Sequence, residues 1–185
     1  MTDHRYRTHV GDRRASTHLE TSLRATPVLQ LVSPIAVEVH PDAAMEAVAA
    51  ALLAWSVTHY PVIDGDRRPV GMLRREDVLQ WQLDACSSLS ESPEATVFGI
   101  RRLTPAAAAG HTVSDVMERS LVAVMAHASL DLVAAILAHE RAPVAVVVDG
   151  DGRARGMVWA QQLMRWLAEH MGYAVPELDQ SSGSR

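Results

Sequence analysis

Arg74 and Asp77 stand three residues apart, where an apolar run gives way to a helix-forming one, and carry opposite charges. A guanidinium offers planar, charge-assisted hydrogen bonds to an anion, and a carboxylate accepts hydrogen bonds from donors. Gly71 precedes Arg74 by three residues, and the spacing returns 85 residues later (Gly71 to Gly156) with different chemistry: Trp159 follows Gly156 and Gln162 follows Trp159. Asp77 has a second reading. A carboxylate in the first turn of a helix stabilises its free N–H groups by ~0.3–1 kcal/mol with no ligand at all, and both readings stand at this point.

Other chemistries find less support. All 17 basic residues are Arg, which removes a Schiff-base lysine and the lysine of a phosphate-binding loop. The nine histidines are scattered, with no two at a helical spacing of three or four, so they read as surface or turn residues and no metal site is expected. Cys86 is the only cysteine, which excludes an intrachain disulfide and any multi-cysteine cluster. No serine, histidine and acidic trio stands out, and Asp149-Gly-Asp-Gly152 reads as a hairpin turn rather than a phosphate loop. The chain is expected not to be an enzyme.

The elements that position Arg74 and Asp77 belong to a duplication. Asp64, Gly65, Asp66, Gly71, Met72 and Trp81 correspond to Asp149, Gly150, Asp151, Gly156, Met157 and Trp166 without a gap, and the correspondence extends from about Val28–Trp81 to Val113–Trp166. Units of this size bury little core alone and should pack on each other. In the first, Ile35–Val39 alternates like a short strand, Asp42 suits a helix cap, and Met45, Val48, Ala49, Leu52 and Trp55 form an apolar stripe. Tyr60–Ile63 and Val70–Leu73 then read as strands around the Asp64-Gly65-Asp66 turn, followed by a helix over 75–83. The second unit repeats the plan: strand 121–124, a helix through Leu130, Val133 and Leu137, strands 144–148 and 156–159, and a helix over 161–171 capped by Gly172.

This gives a disordered tail at 1–25, a first domain at 26–84, a linker at 85–111, a second domain at 112–172 and a polar tail at 173–185. The tail reads as solvated, although Arg5, Arg7, Arg13, Arg14 and Arg24 make it mildly basic. Val97-Phe-Gly-Ile100 is the one stretch of the linker able to pack down. The net charge of −5 gives no general attraction to nucleic acid or an anionic membrane. No stretch approaches a membrane span and the first residues lack the apolar core of a signal peptide, so a cytoplasmic protein is expected. The absence of Lys and Asn beside abundant Ala, Arg and Val suggests a GC-rich, bacterial genome.

The openings Ser33-Pro-Ile-Ala-Val37 and Thr112-Val-Ser-Asp-Val-Met117, the strand Tyr60-Pro-Val-Ile-Asp64 and the run Gly71-Met-Leu-Arg-Arg-Glu-Asp-Val-Leu79 resemble a pair of CBS domains, the regulatory tandem called a Bateman module. The resemblance covers about residues 28–170. It implies an α/β (α+β) fold of two tandem strand-helix-strand-strand-helix units packed as one pseudo-two-fold module. It also implies a stand-alone regulatory protein that binds an adenosine-containing ligand and signals by conformational or oligomeric change. AMP, ADP, ATP or S-adenosylmethionine would be a regulatory ligand, not a required cofactor. A homodimer through the second helices, which carry Trp81 and Trp166, and a separate regulated protein are the implied partners.

The family's ligand motif places Ser or Thr three residues after the Gly to meet phosphate, and Asp three beyond to accept the ribose hydroxyls. Here Gly71 and Asp77 are kept and Arg74 replaces the hydroxyl residue, whereas Trp159 and Gln162 replace both functional residues of the second copy. The resemblance therefore puts the ligand mainly in the first cleft, lined by Ser33, Pro34, Ile35, Tyr60, Pro61 and Val62, with Arg74 and Asp77. The alternative is a structural or partner-binding homodimer whose ligand sites have degenerated.

Overall fold

The computed structural model describes residues 13–54, 57–88 and 110–175. Trp55, Val97–Ile100, the first twelve residues and the final ten, on which some of the expectations above fall, lie outside that range.

Helix α1 (Arg13–Ala25) leads through a short 3-10 turn at Val28–Leu31 to α2 (Met45–Ala54), β1 (His59–Ile63), β2 (Pro69–Arg74) and α3 (Arg75–Ser88). The second half runs α4 (Val113–Val116), β3 (Ala123–Met125), α5 (Leu130–Glu140), β4 (Val144–Val148), β5 (Ala154–Trp159) and α6 (Ala160–His170). β1 and β2 pair antiparallel with His59 opposite Arg74 and Val62 opposite Gly71. β4 pairs parallel with β3 and antiparallel with β5, with Val147 opposite Gly156. Both hairpins turn on an aspartate. Asp64 Oδ1 accepts from the N–H groups of Asp66 and Arg68 at 2.9 and 2.8 Å, and Asp149 Oδ1 accepts from those of Asp151 and Arg153 at 3.0 and 3.0 Å.

Strand alternation divides the apolar residues between three cores. Tyr60, Val62 and Leu73 face Met45, Ala49 and Leu52 of α2 and Val78 of α3. Ala145, Val147 and Val158 face Leu130, Val133 and Leu137 of α5 and Leu163 of α6. The opposite faces meet at the seam between the halves, where Ile63 and Met72 pack with Val144, Val146, Val148, Ala154 and Met157. This two-sided burial is why β4 is an unbroken apolar run: every residue of it is buried. Each such Val contributes roughly 1.5–3 kcal/mol on burial.

The halves also exchange their leading segments. Ser33, ahead of the first unit, trades N–H···O bonds of 2.9 Å in both directions with Met157 of β5. Glu118, its counterpart at the 85-residue offset, does the same with Met72 of β2 at 2.8 and 2.9 Å. Pro27 bridges to Ser129 and Ala44 to Thr112, again equivalent pairs. Two glycines permit the approach: a Cβ on Gly71 would lie 2.6 Å from Met117 Sδ and 2.9 Å from Glu118 O, and one on Gly156 would run into Val32 and lie 2.5 Å from Ser33 O.

Three expectations are corrected. Residues 13–25, read as part of a disordered tail, form α1, which packs along α5; Leu23 joins the second core and Arg24 lies 3.6 Å from Asp131. Ile35–Val39 is not a strand. Only Val39 bridges, parallel to Val62, while Ile35 reaches the seam and Val37 the first core, so the alternation marks a crossing segment serving two cores. Finally, α3 continues five residues past the expected end, to Ser88.

Candidate functional site

Where β2 runs into α3, the Asp77 carboxylate turns back on the helix start and Oδ2 accepts from the Arg74 backbone N–H at 3.0 Å. The Arg74 side chain closes on the same carboxylate, with Nε donating to Oδ2 and Nη2 to Oδ1, each at 3.0 Å. This bidentate pair holds the guanidinium above its usual pKa, first by the Asp77 hydrogen bonds and then by the carboxylate's charge. The Asp77 side chain is 18% exposed and that of Arg74 43%, so the pair is solvent-facing at its cationic end.

A groove of about 620 Å³ opens beside the pair, lined by Arg74 and Asp77 on one side and by Ser114–Arg119 on the other. The second wall is the segment that crosses over from the other half. Thr112 anchors it: its N–H donates to Asp115 Oδ2 at 2.8 Å and its hydroxyl at 2.9 Å, which together hold the Asp115 carboxyl below the usual carboxylate range. Arg119 gives the groove a second cation, whose Nη2 reaches the Ser114 carbonyl at 3.4 Å.

The matching place in the second half is wired differently. Trp159 N–H donates to Gln162 Oε1 at 2.9 Å, repeating the Arg74–Asp77 backbone contact, but Gln162 Nε2 donates onward to Ser33 Oγ at 2.6 Å. The Trp159 indole packs on the seam and meets the His59 ring edge-on, with centroids 5.8 Å apart. Burial pushes the His59 pKa down; Glu76 opposes this and the Arg74 charge adds to it.

The eight residues expected to line one cleft do not gather there. Ser33 lies against Gln162, the counterpart of Asp77, and so belongs to the second half's cleft. Pro34 is exposed and Ile35 packs at the seam. The Tyr60 side chain is core, and its buried hydroxyl donates to the carbonyls of Leu52 and Val57 at 2.7 and 2.8 Å. Val62 is core as well, whereas Pro61 lies by strand alternation on the opposite, seam-facing side. Only Arg74 and Asp77 line the groove, and their partners Ser114–Arg119 were missed as site residues. The offset carried the signal, because Glu118 stands where Ser33 stands in the other copy, but an offset does not say which half a segment enters.

Among the described residues no group of three His, Cys, Asp or Glu is arranged to hold a metal, and no helix is long and apolar enough to cross a membrane.

No curated protein matches the chain. Solved structures do. The CBS-pair protein CBSX2 of Arabidopsis thaliana, in complex with AMP, superposes with a TM-score of 0.59 at 22% identity, covering 78% of this chain and 98% of its own. The CBS domain of a bacterial CNNM/CorC family Mg2+ transporter in complex with ATP gives 0.60 at 18% identity, covering 88% and 99%. A CBS domain pair in complex with 5′-methylthioadenosine and S-adenosyl-L-methionine gives 0.54 at 18%, covering 78% and 97%. At these identities the likeness is one of fold. The family model for the CBS domain matches residues 28–84 and 113–169, which are the two halves joined by the exchanged segments. With both repeats matched and the shared fold in hand, the chain belongs to the CBS domain family, as a tandem pair.

Proposed function

We propose that this CBS pair is a regulatory module that binds one adenosine-containing ligand per chain, in the first-half groove, and passes the occupancy on as a change of shape or self-association. The observation that carries this is the asymmetry between the clefts. The first presents a carboxylate and two guanidiniums around an open groove, whereas the second ties Gln162 to Ser33 and sets Trp159 against His59. A carboxylate at the start of α3 accepts ribose hydroxyls, and Arg74 and Arg119 complement phosphate. CBS pairs of this fold have been crystallised with AMP, ATP and S-adenosyl-L-methionine, which supports an adenosyl ligand as the class. The module is non-catalytic in this reading, and the protein it regulates is a separate chain.

Self-association belongs to the same proposal. Leu79 on α3 and Met164 on α6 correspond at the 85-residue offset and are 45% and 64% exposed, a pair of apolar positions related by the internal pseudo-two-fold. Exposed apolar positions of this kind are what a two-fold dimer covers.

A second reading, a structural homodimer without a ligand, is favoured by the mutual saturation of Arg74 and Asp77. Titration with AMP, ADP, ATP and S-adenosylmethionine separates the two. At a hundredfold excess over Kd a bound ligand stabilises the fold by ~2.7 kcal/mol, and calorimetry is expected to give one site per chain, lost in Asp77→Ala. Two equivalent sites would overturn the asymmetric assignment. No shift with any of the four would leave the structural dimer.

A further inference from the structure

The Arg74–Asp77 pair already occupies most of what a ligand would use. Asp77 Oδ2 accepts from both the Arg74 backbone N–H and Nε, and Oδ1 accepts from Nη2, so three of roughly four carboxylate lone-pair positions are filled. A vicinal diol brings two donors and finds one position. Full engagement of the diol therefore requires the guanidinium to leave the carboxylate, and the displaced cation, at the rim of a groove, needs an anion in exchange. Resting on the adenosyl-ligand reading above, we propose that the Arg74–Asp77 pair is a specificity latch. It opens for a ligand that offers a ribose diol and a phosphate on one molecule, and it rejects ligands that offer only one of them.

The bond exchange is balanced in that case alone. With a nucleoside monophosphate, the two hydroxyls replace the guanidinium donors on Asp77, and the phosphate oxygens replace the carboxylate acceptors on Arg74, with Arg119 in the same lining as a second donor. A nucleoside without phosphate leaves Arg74 without its partner. Inorganic phosphate leaves Asp77 without its side-chain donors. In either case one member of the pair is left to solvent without its partner, a penalty of up to roughly tenfold in affinity for a guanidinium 43% exposed. The second half shows what the position does without a latch. Gln162 has Trp159 where Asp77 has Arg74, and it is fixed instead to a neighbouring hydroxyl, Ser33. Arg74 is thus a specificity-determining residue, not merely a replacement for a small hydroxyl side chain.

The test is calorimetry on the full chain with three probes, adenosine, inorganic phosphate and AMP, in wild type, Arg74→Ser and Arg74→Gln, each variant checked for an intact melting transition. In wild type AMP is expected to bind at least roughly tenfold more tightly than adenosine, with phosphate alone undetected. Either substitution frees Asp77, so adenosine affinity is expected to rise roughly tenfold while AMP weakens, and the discrimination collapses. If AMP binds wild type but adenosine affinity is unchanged in both variants, the latch is overturned and the adenosyl site stands. Adenosine binding wild type as tightly as AMP overturns it too. If no probe binds wild type or variants, the adenosyl site itself falls and the latch with it. If AMP binds only the variants, the pair is a permanent closure, and the proposed opening is wrong.

Discussion

The two halves share a backbone plan down to individual bridges, yet they use the junction between the hairpin and the following helix in opposite ways. In the first, Arg74 and Asp77 put charge at the lip of a groove; in the second, Trp159 and Gln162 turn inward to His59 and Ser33. The scaffold requirements are met in both, since Asp77 and Gln162 each accept the N–H of the residue three before. The difference teaches that a capping position can keep its structural duty while its remaining valences go either to a cation of its own half or to a segment of the other.

The comparison can be broken first at the exchanged segments. Gly156→Ala is expected to cost about 3 kcal/mol and Gly71→Ala about 2 kcal/mol. At Gly156 the added methyl meets the Ser33 carbonyl at 2.5 Å and β-branched Val32, whereas at Gly71 it meets flexible Met117 and, less closely at 2.9 Å, the Glu118 carbonyl. Urea melts of both variants check this, and equal losses would mean the two joints are equally rigid. A smaller effect is expected for Tyr60→Phe, which strands the carbonyls of Leu52 and Val57 and should cost about 1–2 kcal/mol. The counterpart Ala145 has no such hydroxyl, so a neutral result would mean α2 ends without that tether.

The pH dependence of stability sharpens the contrast at His59. Burial lowers its pKa below the ordinary 6.5, so the folded protein holds the ring neutral while the unfolded chain takes up a proton more readily. Its contribution is complete above 6.5 and is lost as pH falls through that value towards the folded pKa, so stability should rise with pH across that window. His59→Val, which copies the counterpart Val144, is expected to flatten the slope in melts from pH 5 to pH 8 (roughly the range in which histidine titrates). The smallest effect is expected at the turn. Arg67 holds φ at 65° where Gly152 stands in the other copy at 78°. Arg67→Gly relieves a left-handed strain of about 1 kcal/mol and gives up an exposed 2.7 Å ion pair to Glu38, for a net gain of about 0.5 kcal/mol in thermal melts.

The parts of this architecture legible in the sequence were those written in local chemistry: β4 as an unbroken apolar run, both aspartate turns, and Gly172 as a left-handed helix stop at φ 85°. What escaped was set by long-range packing. Leu19 and Leu23 are the only leucines on α1, too thin a stripe to announce a helix, and it is the surface of α5 that gives them somewhere to go. Ile35, Val37 and Val39 looked like one face of a strand because three apolar contacts at alternate positions arose from two separate cores. Tyr60 and Val62 were placed in the cleft by resemblance, while α2 draws their side chains to the other side of the sheet. Ser33 was grouped with Asp77 because they share a repeat, and the exchange of leading segments moves it to Gln162.

That exchange bears on how such a chain holds together. Each unit seats its arm on the other unit, and the glycine notch on each second strand is filled by the other's arm. Joining the two copies by a linker turns an association dependent on concentration into one governed by tether length. In the present protein the traded arms tie both units into one folding body along a single chain. Once the copies are joined, neither junction has to remain a copy of the other, and the Arg74–Asp77 and Trp159–Gln162 pairs have diverged on one shared backbone plan.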